Sequence, residues 1–430
     1  MSSKPGYKQT EIGEIPEDWD LLELGNGHVC IDITDGFHNT PKKAPNGIAL
    51  IKVENIYDDK IHFDNVDKIS IEEHRKEMKR CHPQDKDVLL TCVGTLGRTA
   101  VVETQEEFNI VRSVALLRPA TRINSYFLAY LLHLSMTKYQ MEALQTSTTR
   151  KGLYLESIRK IKIPVPRKIE EQQKIVAILW SVDQQIKITQ MRIHGNQKIK
   201  KALMQKLLTK GIRHTRFKQT EIGEIPEQWN IDELGKIVDV IKRGPSQATN
   251  NEKKGIGYIT SDCIDDNNIL NFNSIKYLDE LLIDDKNKYY IKSNDIIINC
   301  VNSPEKIGKV AMYEGNDDKY IIGFNNFALT INHNINPHCV KYILMLSEIS
   351  QQIKKKLKPA VFQVSFSSSD LLSIIIPLPN TRFEQDYIVS ILSNVDAKIE
   401  NDLHIIQELD SLKKGLMSDL LTGRLRVKVN

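Results

Sequence analysis

Residues 8 to 17 read KQTEIGEIPE, and residues 218 to 227 read KQTEIGEIPE again, 210 positions later in a chain of 430. Extended, YKQTEIGEIPEDW (Tyr7 to Trp19) and FKQTEIGEIPEQW (Phe217 to Trp229) agree at 11 of 13 positions, more than chance allows. The echo keeps its order downstream. GIALIKVENI (47–56) pairs with GIGYITSDCI (255–264), and DVLLTCVG (87–94) with DIIINCVN (295–302). INSYFLAYLLHLS (123–135) pairs with INPHCVKYILMLS (335–347), and IKIPVP (161–166) with IIIPLP (374–379). The chain is an internal duplication in which a shared frame carries two diverged middles.

After each Pro-x-Pro the pattern becomes helical. Apolar residues recur at alternating spacings of four and three: Ile175, Leu179, Val182, Ile186, Ile193, Leu203 and Leu207, then Ile388, Leu392, Val395, Ile399, Ile406, Leu409, Leu416 and Leu420. That is a heptad seam, interrupted by Thr189, Asn196, Lys200, Asp402 and Lys413. Helices of this length, about 60 Å at ~1.5 Å per residue, need a partner for one long apolar stripe. Each is the natural partner of the other, antiparallel about a pseudo-two-fold axis; pairing between two chains is the alternative. Lys200 and Lys413 occupy matching seam positions, where their stems pack while the ammonium groups reach water, or where they set register.

The middles hold short β runs (VLLTCVG with TAVV, IIINCV with KVAMY) and then helical patterns such as SYFLAYLLHLSMTKYQMEAL. The expected fold class is α+β: two similar domains, 1–167 and 211–381, joined by long helices at 168–210 and 382–424 that form an antiparallel coiled coil.

Composition excludes more than it selects. Six cysteines without C-x-x-C pairs argue against zinc and a disulfide framework and for core thiols, and a formal charge of +4 is compatible with nucleic acid without requiring it. The first ten residues lack a signal-peptide core and no apolar run is long enough for a bilayer, so a cytoplasmic protein without a membrane is expected. No phosphate loop, HExxH, GxSxG or dinucleotide fingerprint occurs. The amino-methyltransferase signature is also missing, and Asp284 with Asp285, or Gln84 to Asp87, read as hydrated loops rather than nuclease carboxylates.

Polar and basic loops remain as candidates to meet DNA: Lys42, Lys43, Thr95, Arg98, Thr148, Thr149, Arg150 and Lys151 in the first half, and Arg243, Ser246, Ser303, Lys306, Lys309, Lys358, Gln363 and Ser365 in the second. In VGTLGRTAVV and NSPEKIGKV, backbone N–H groups and cations suit phosphate, although a tight hairpin explains the glycines equally well. In TSTTRKG and KPAVFQVSFSSSD, hydroxyls, amides and cations suit base edges, and Phe362 or Phe366 suits a thymine methyl, although flexible surface explains these segments equally well.

The doubled KQTEIGEIPE, the paired G-I-x-x-I segments, the I-P-x-P exits, the helix starts at Glu171, Gln172 and Glu384, Gln385, and the helix ends KKALMQKLLTKG and KKGLMSDLLTGR together resemble the specificity subunits of Type I restriction-modification systems. The resemblance covers nearly the whole chain. It implies two target-recognition domains, each binding one half of a bipartite double-stranded DNA target, with helices that set the gap and dock two methyltransferase subunits. It further implies no catalysis and no cofactor in this subunit, S-adenosylmethionine, ATP and Mg belonging to partners that include restriction/translocase subunits. A coiled-coil adaptor without DNA specificity is the alternative, with an enzyme bearing an unrecognised site as a third reading.

Overall fold

The repeated motif is a β-hairpin. In the structure, a computed structural model describing residues 5–145, 152–250, 252–283, 285–359 and 363–428, Tyr7–Thr10 pairs antiparallel with Gly13–Pro16, and Phe217–Thr220 with Gly223–Pro226. The sequence explains the turn. Gly13 and Gly223 take φ of +111° and +105°, where a Cβ is disfavoured, and the hydroxyls of Thr10 and Thr220 donate to their carbonyls at 2.6 and 2.5 Å. Lys8 and Lys218 then reach forward to the carbonyls of Trp19 and Trp229, whose indoles are buried.

The chain folds as two compact units, one comprising Met1–Gln190 with His404–Asn430, the other Met191–Leu403. The long helices Ile169–Lys210 and Arg382–Leu420 therefore each contribute one half to each unit. Strand Trp19–Glu23 pairs with the Pro-x-Pro strand Lys162–Pro166, and Asn230–Glu233 with Ile375–Leu378, so each domain is closed where it meets its helix.

Above that closure the units repeat one topology. Thr99–Val101, Val88–Thr91, Val114–Pro119 and Cys30–Asp35 form an antiparallel sheet in that order, as do Val310–Met312, Ile296–Asn299, Asn326–Ile331 and Val238–Arg243. A second sheet orders Phe108–Ile110, Lys43–Ile51 and Asp67–Ile69, matched by Tyr320–Ile322, Ile256–Ile259 and Lys276–Leu278; its first pair is parallel. The segment expected as one helical pattern after Ser125 is two helices, Ser125–His133 and Ser135–Ala143, because Leu134 is extended and buried, letting Leu131 and Met141 enter the same core.

Within each unit the helix segments run antiparallel. Asp183 meets Lys413 in the first, Arg192 meets Asp402 and Lys200 meets Asp396 in the second. The seam residues named above are all buried or half-buried. Lys200 and Lys413 do not simply extend into water: each ends on a carboxylate of the facing helix, at 2.5 and 2.6 Å. Asp87 also departs from expectation. It is buried, accepting from Gln84 N and paired with Arg118 at 2.8 Å, so it is neither hydrated loop nor free carboxylate. Asp284 lies outside the described residues, while Asp285 accepts from Asn287 N to start a short helical turn. All six cysteines are buried free thiols, and burial pushes Cys30, Cys81, Cys92, Cys300 and Cys339 up to about 12, away from thiolate chemistry.

Candidate nucleic-acid interface

Each unit opens a groove beside its crossing strands. In the first unit it has a volume of about 870 Å³ and lies among the loop after Cys30–Asp35, the turn at Val111 to Ser113, and the segment Leu153 to Arg159. The loop is pinned from below: Arg80 bonds Asp35 at 2.9 Å and the Gly36 carbonyl, while Arg112 N donates to Phe37 O. Only glycine fits at 36, since a Cβ would stand 1.7 Å from the Ile110 carbonyl oxygen. His38, Asn39 and Thr40 are thereby held at the rim with their side chains exposed.

The second unit repeats the device with different side chains. A Cβ on Gly244 would lie 1.8 Å from the Ile322 carbonyl oxygen, and Tyr258 donates to the Pro245 carbonyl at 2.6 Å. Arg243 donates to the Phe324 carbonyl at 2.8 Å with its guanidinium 4.1 Å from that ring's centre. Ser246, Gln247, Thr249 and Asn325 line a cavity of about 220 Å³ there. Asn325 O accepts from Val301 N, and strand Val301–Asn302 pairs with Val364–Ser365, which pairs with Lys358–Pro359. The structure thus joins Arg243, Ser246, Ser365 and Lys358 along one edge, with exposed Gln363 beside them.

In the first unit, Lys43 lines the groove beside exposed Lys42 and shares Asp67 with Lys52. Hydrogen bonds from Lys52 and then Lys43 hold the Asp67 carboxyl below its ordinary value, so this wall stays ionised. Thr95 and Arg98 are exposed on the adjoining turn, Arg98 donating to the Ile56 carbonyl at 3.3 Å. Thr148, Thr149, Arg150, Lys151 and Phe362 lie outside the described residues.

Several expectations change. The Gly97 and Arg98 amides donate to Thr91 O and Oγ1, and Gly308 N to Asn299 O, so these three N–H groups are already used within the hairpins. Phe366 is buried against Phe327 and offers no face to a base. Lys309 is committed to Asp266, whereas Lys306 is exposed and Ser303 half-buried. Sequence reasoning missed His38, Asn39, Thr40, Lys52, Arg112 and Tyr154 in the first groove, and Gln247 and Thr249 in the second. Asn39 and Thr40 directly precede the flagged lysines; Arg112 stands alone between apolar strands and gave no signal.

A family model described as the Type I restriction modification DNA specificity domain matches residues 34–200 and again 226–411. The chain belongs to this family. It is a DNA sequence-specificity subunit, a recognition protein and not a catalyst, and the adaptor reading without DNA specificity has no support. The type I restriction enzyme MjaVIII specificity subunit of Methanocaldococcus jannaschii is 27% identical over 434 residues, covering 98% of this chain and 96% of that protein. The MjaX relative from the same organism is 36% identical over 217 residues, 50% of this chain and 51% of its own length. The EcoBI specificity subunit of Escherichia coli is 29% identical over 230 residues, 51% and 44% respectively, so this specificity subunit aligns with about half of each of these two relatives. Among solved structures, the S subunit from M. genitalium shares the fold at a TM-score of 0.56 and 15% identity, covering 100% of both chains. A chain from work on complex assembly and conformational transition of the type I system matches at 0.56 and 18%, covering 96% and 99%.

Among its described residues this specificity subunit has no group of three or more His, Cys, Asp or Glu placed to hold a metal ion, and no helix long and apolar enough to cross a membrane.

Proposed function

We propose that the two recognition domains bind the two halves of a bipartite double-stranded DNA target through the grooves described above. The observation that carries this reading is one topology built twice, each with a glycine-pinned loop, around different polar linings. Asn39, Thr40 and Arg112 face a different half-site from Ser246, Gln247 and Thr249. Amides and guanidinium groups discriminate base edges, while exposed cations such as Lys42 and Lys306 contact phosphates and position the duplex.

The long helices set the gap between half-sites and dock two methyltransferase subunits, with restriction/translocase subunits joining in the full cytoplasmic complex. Exposed Trp180 and Ile188 in the first unit, and Met191, Ile199, Phe383 and Tyr387 in the second, support docking, since aromatic and long apolar side chains concentrate at interface centres. S-adenosylmethionine, ATP and Mg bind those partners.

Sequencing methylated DNA from cells expressing this chain with its methyltransferase tests the reading. It predicts one motif of two short half-sites around an unread gap. Methylation or cleavage by the isolated chain, or a continuous motif, contradicts it. Light scattering of the co-expressed complex checks the expected two methyltransferases per chain; a stable one-to-one complex refutes that stoichiometry.

A further inference from the structure

One carboxylate in each unit gathers three elements. In the first, Asp183 of helix Ile169–Lys210 accepts from the Tyr130 hydroxyl at 2.6 Å and pairs with Lys413 of helix Arg382–Leu420 at 2.6 Å. In the second, Asp396 accepts from Tyr342 at 2.6 Å and pairs with Lys200 at 2.5 Å. Each ammonium also lies against its tyrosine ring, 5.8 and 5.6 Å from the centre. Burial first, and the neighbouring aspartate next, push both hydroxyls far above the ordinary tyrosine value, so they remain donors.

A second tie lies 11 residues earlier on the same helix, about three turns away. Gln172 accepts from Asn124 N and donates to the Arg122 and Pro166 carbonyls; Gln385 accepts from Asn336 N and donates to Pro379 O. A domain held at two points along one helix face cannot swivel about either. The lysine adds a constraint that the apolar seam lacks. A slip of the helices by one heptad preserves apolar contact but carries the lysine about 10 Å from its carboxylate, stranding two largely covered charges.

We infer that the Tyr130–Asp183–Lys413 and Tyr342–Asp396–Lys200 junctions are positioning groups that hold each recognition domain at one station on its helix pair and admit one helix register, making the gap in the DNA target single-valued. The inference rests on the proposal that the helices set the gap.

Lys200→Met with Lys413→Met, co-expressed with the methyltransferase, tests it by methylome sequencing. The half-sites should persist while modification at gaps other than the wild-type one, foremost those about three base pairs longer or shorter that a one-heptad slip of ~10 Å gives, rises about tenfold or more, the factor produced by ~1.4 kcal/mol of lost preference. Exchanging the charges (Lys413→Asp with Asp183→Lys, Lys200→Asp with Asp396→Lys) should restore one gap, which a merely structural contribution to melting would not do. A single unchanged gap in the methionine variant, with only a lowered Tm, overturns the inference. If that variant fails to assemble, Tyr130→Phe with Tyr342→Phe removes only the hydroxyls, and an unchanged gap there overturns it equally. A wild-type motif without a fixed gap would instead refute the parent proposal.

Discussion

Arg426→Met should loosen the first unit while leaving the second intact. Past Gly423, which takes φ of +72°, the chain lays Arg426 against the opening motif. Its guanidinium bonds Asp18 at 2.9 and 2.7 Å and Glu171 at 2.9 and 3.3 Å, 5.9 Å from the Trp19 ring centre. The Asp18 arm is worth little, because that side chain is 57% exposed and such pairs contribute about 0–1 kcal/mol. The Glu171 arm matters more: its side chain is only 4% exposed and would be left charged without its partner. Breaking a fully buried pair costs ~3–5 kcal/mol; with Arg426 39% exposed, water relieves part of this and about 1–3 kcal/mol is expected. Glu171→Gln in the same background should recover most of the loss. In the second unit Glu384 is satisfied by His214, Trp229 and the Ile212 amide, so that unit should not respond. Hydrogen exchange read by peptide checks this: faster exchange over 7–23 and 162–190, none over 217–233. Equal loosening of both units, or no loosening, refutes the reasoning. Arg426 also holds the Asp18 carboxyl below its ordinary value, so the associated stability is present above about pH 4 and lost as pH falls through the folded value. The variant's acid limb should be correspondingly flatter.

Inserting four helical residues near Asn196 lengthens the helix by about 6 Å, so the gap should grow by up to about two base pairs while both half-sites persist; a changed half-site with an unchanged gap contradicts this. Gly36→Ala forces its Cβ against the Ile110 carbonyl and should cost about 1–3 kcal/mol and abolish reading of one half-site, measured by denaturant titration and methylome. Arg112→Ala should relax one base position by about 1–3 kcal/mol, whereas Arg98→Ala should weaken all sequences alike, as comparative binding titrations would separate.

The duplication, the long helices and their seam were legible because heptad spacing and an almost unaltered repeat are local signals. The hairpin of KQTEIGEIPE was not read from the sequence, although Thr10 and Gly13 form its turn. What stayed hidden depends on contacts distant in sequence. Nothing near Lys200 or Lys413 announces Asp396 or Asp183, and the burial of Phe366 follows from Phe327 in another strand. The grooves were half visible: Lys43 and Arg243 stood in polar clusters, but Arg112 acquires its place only when the turn at 111–113 closes over Phe37.

The central claim is that the two units read DNA independently. Exchanging the segment from about Leu24 to Ile163 for that of a relative with a different motif, and sequencing the methylated DNA, tests it most directly. The account predicts one altered half-site, with the other half-site and the gap unchanged. Alteration of both half-sites, in a protein that still folds and assembles, would contradict it.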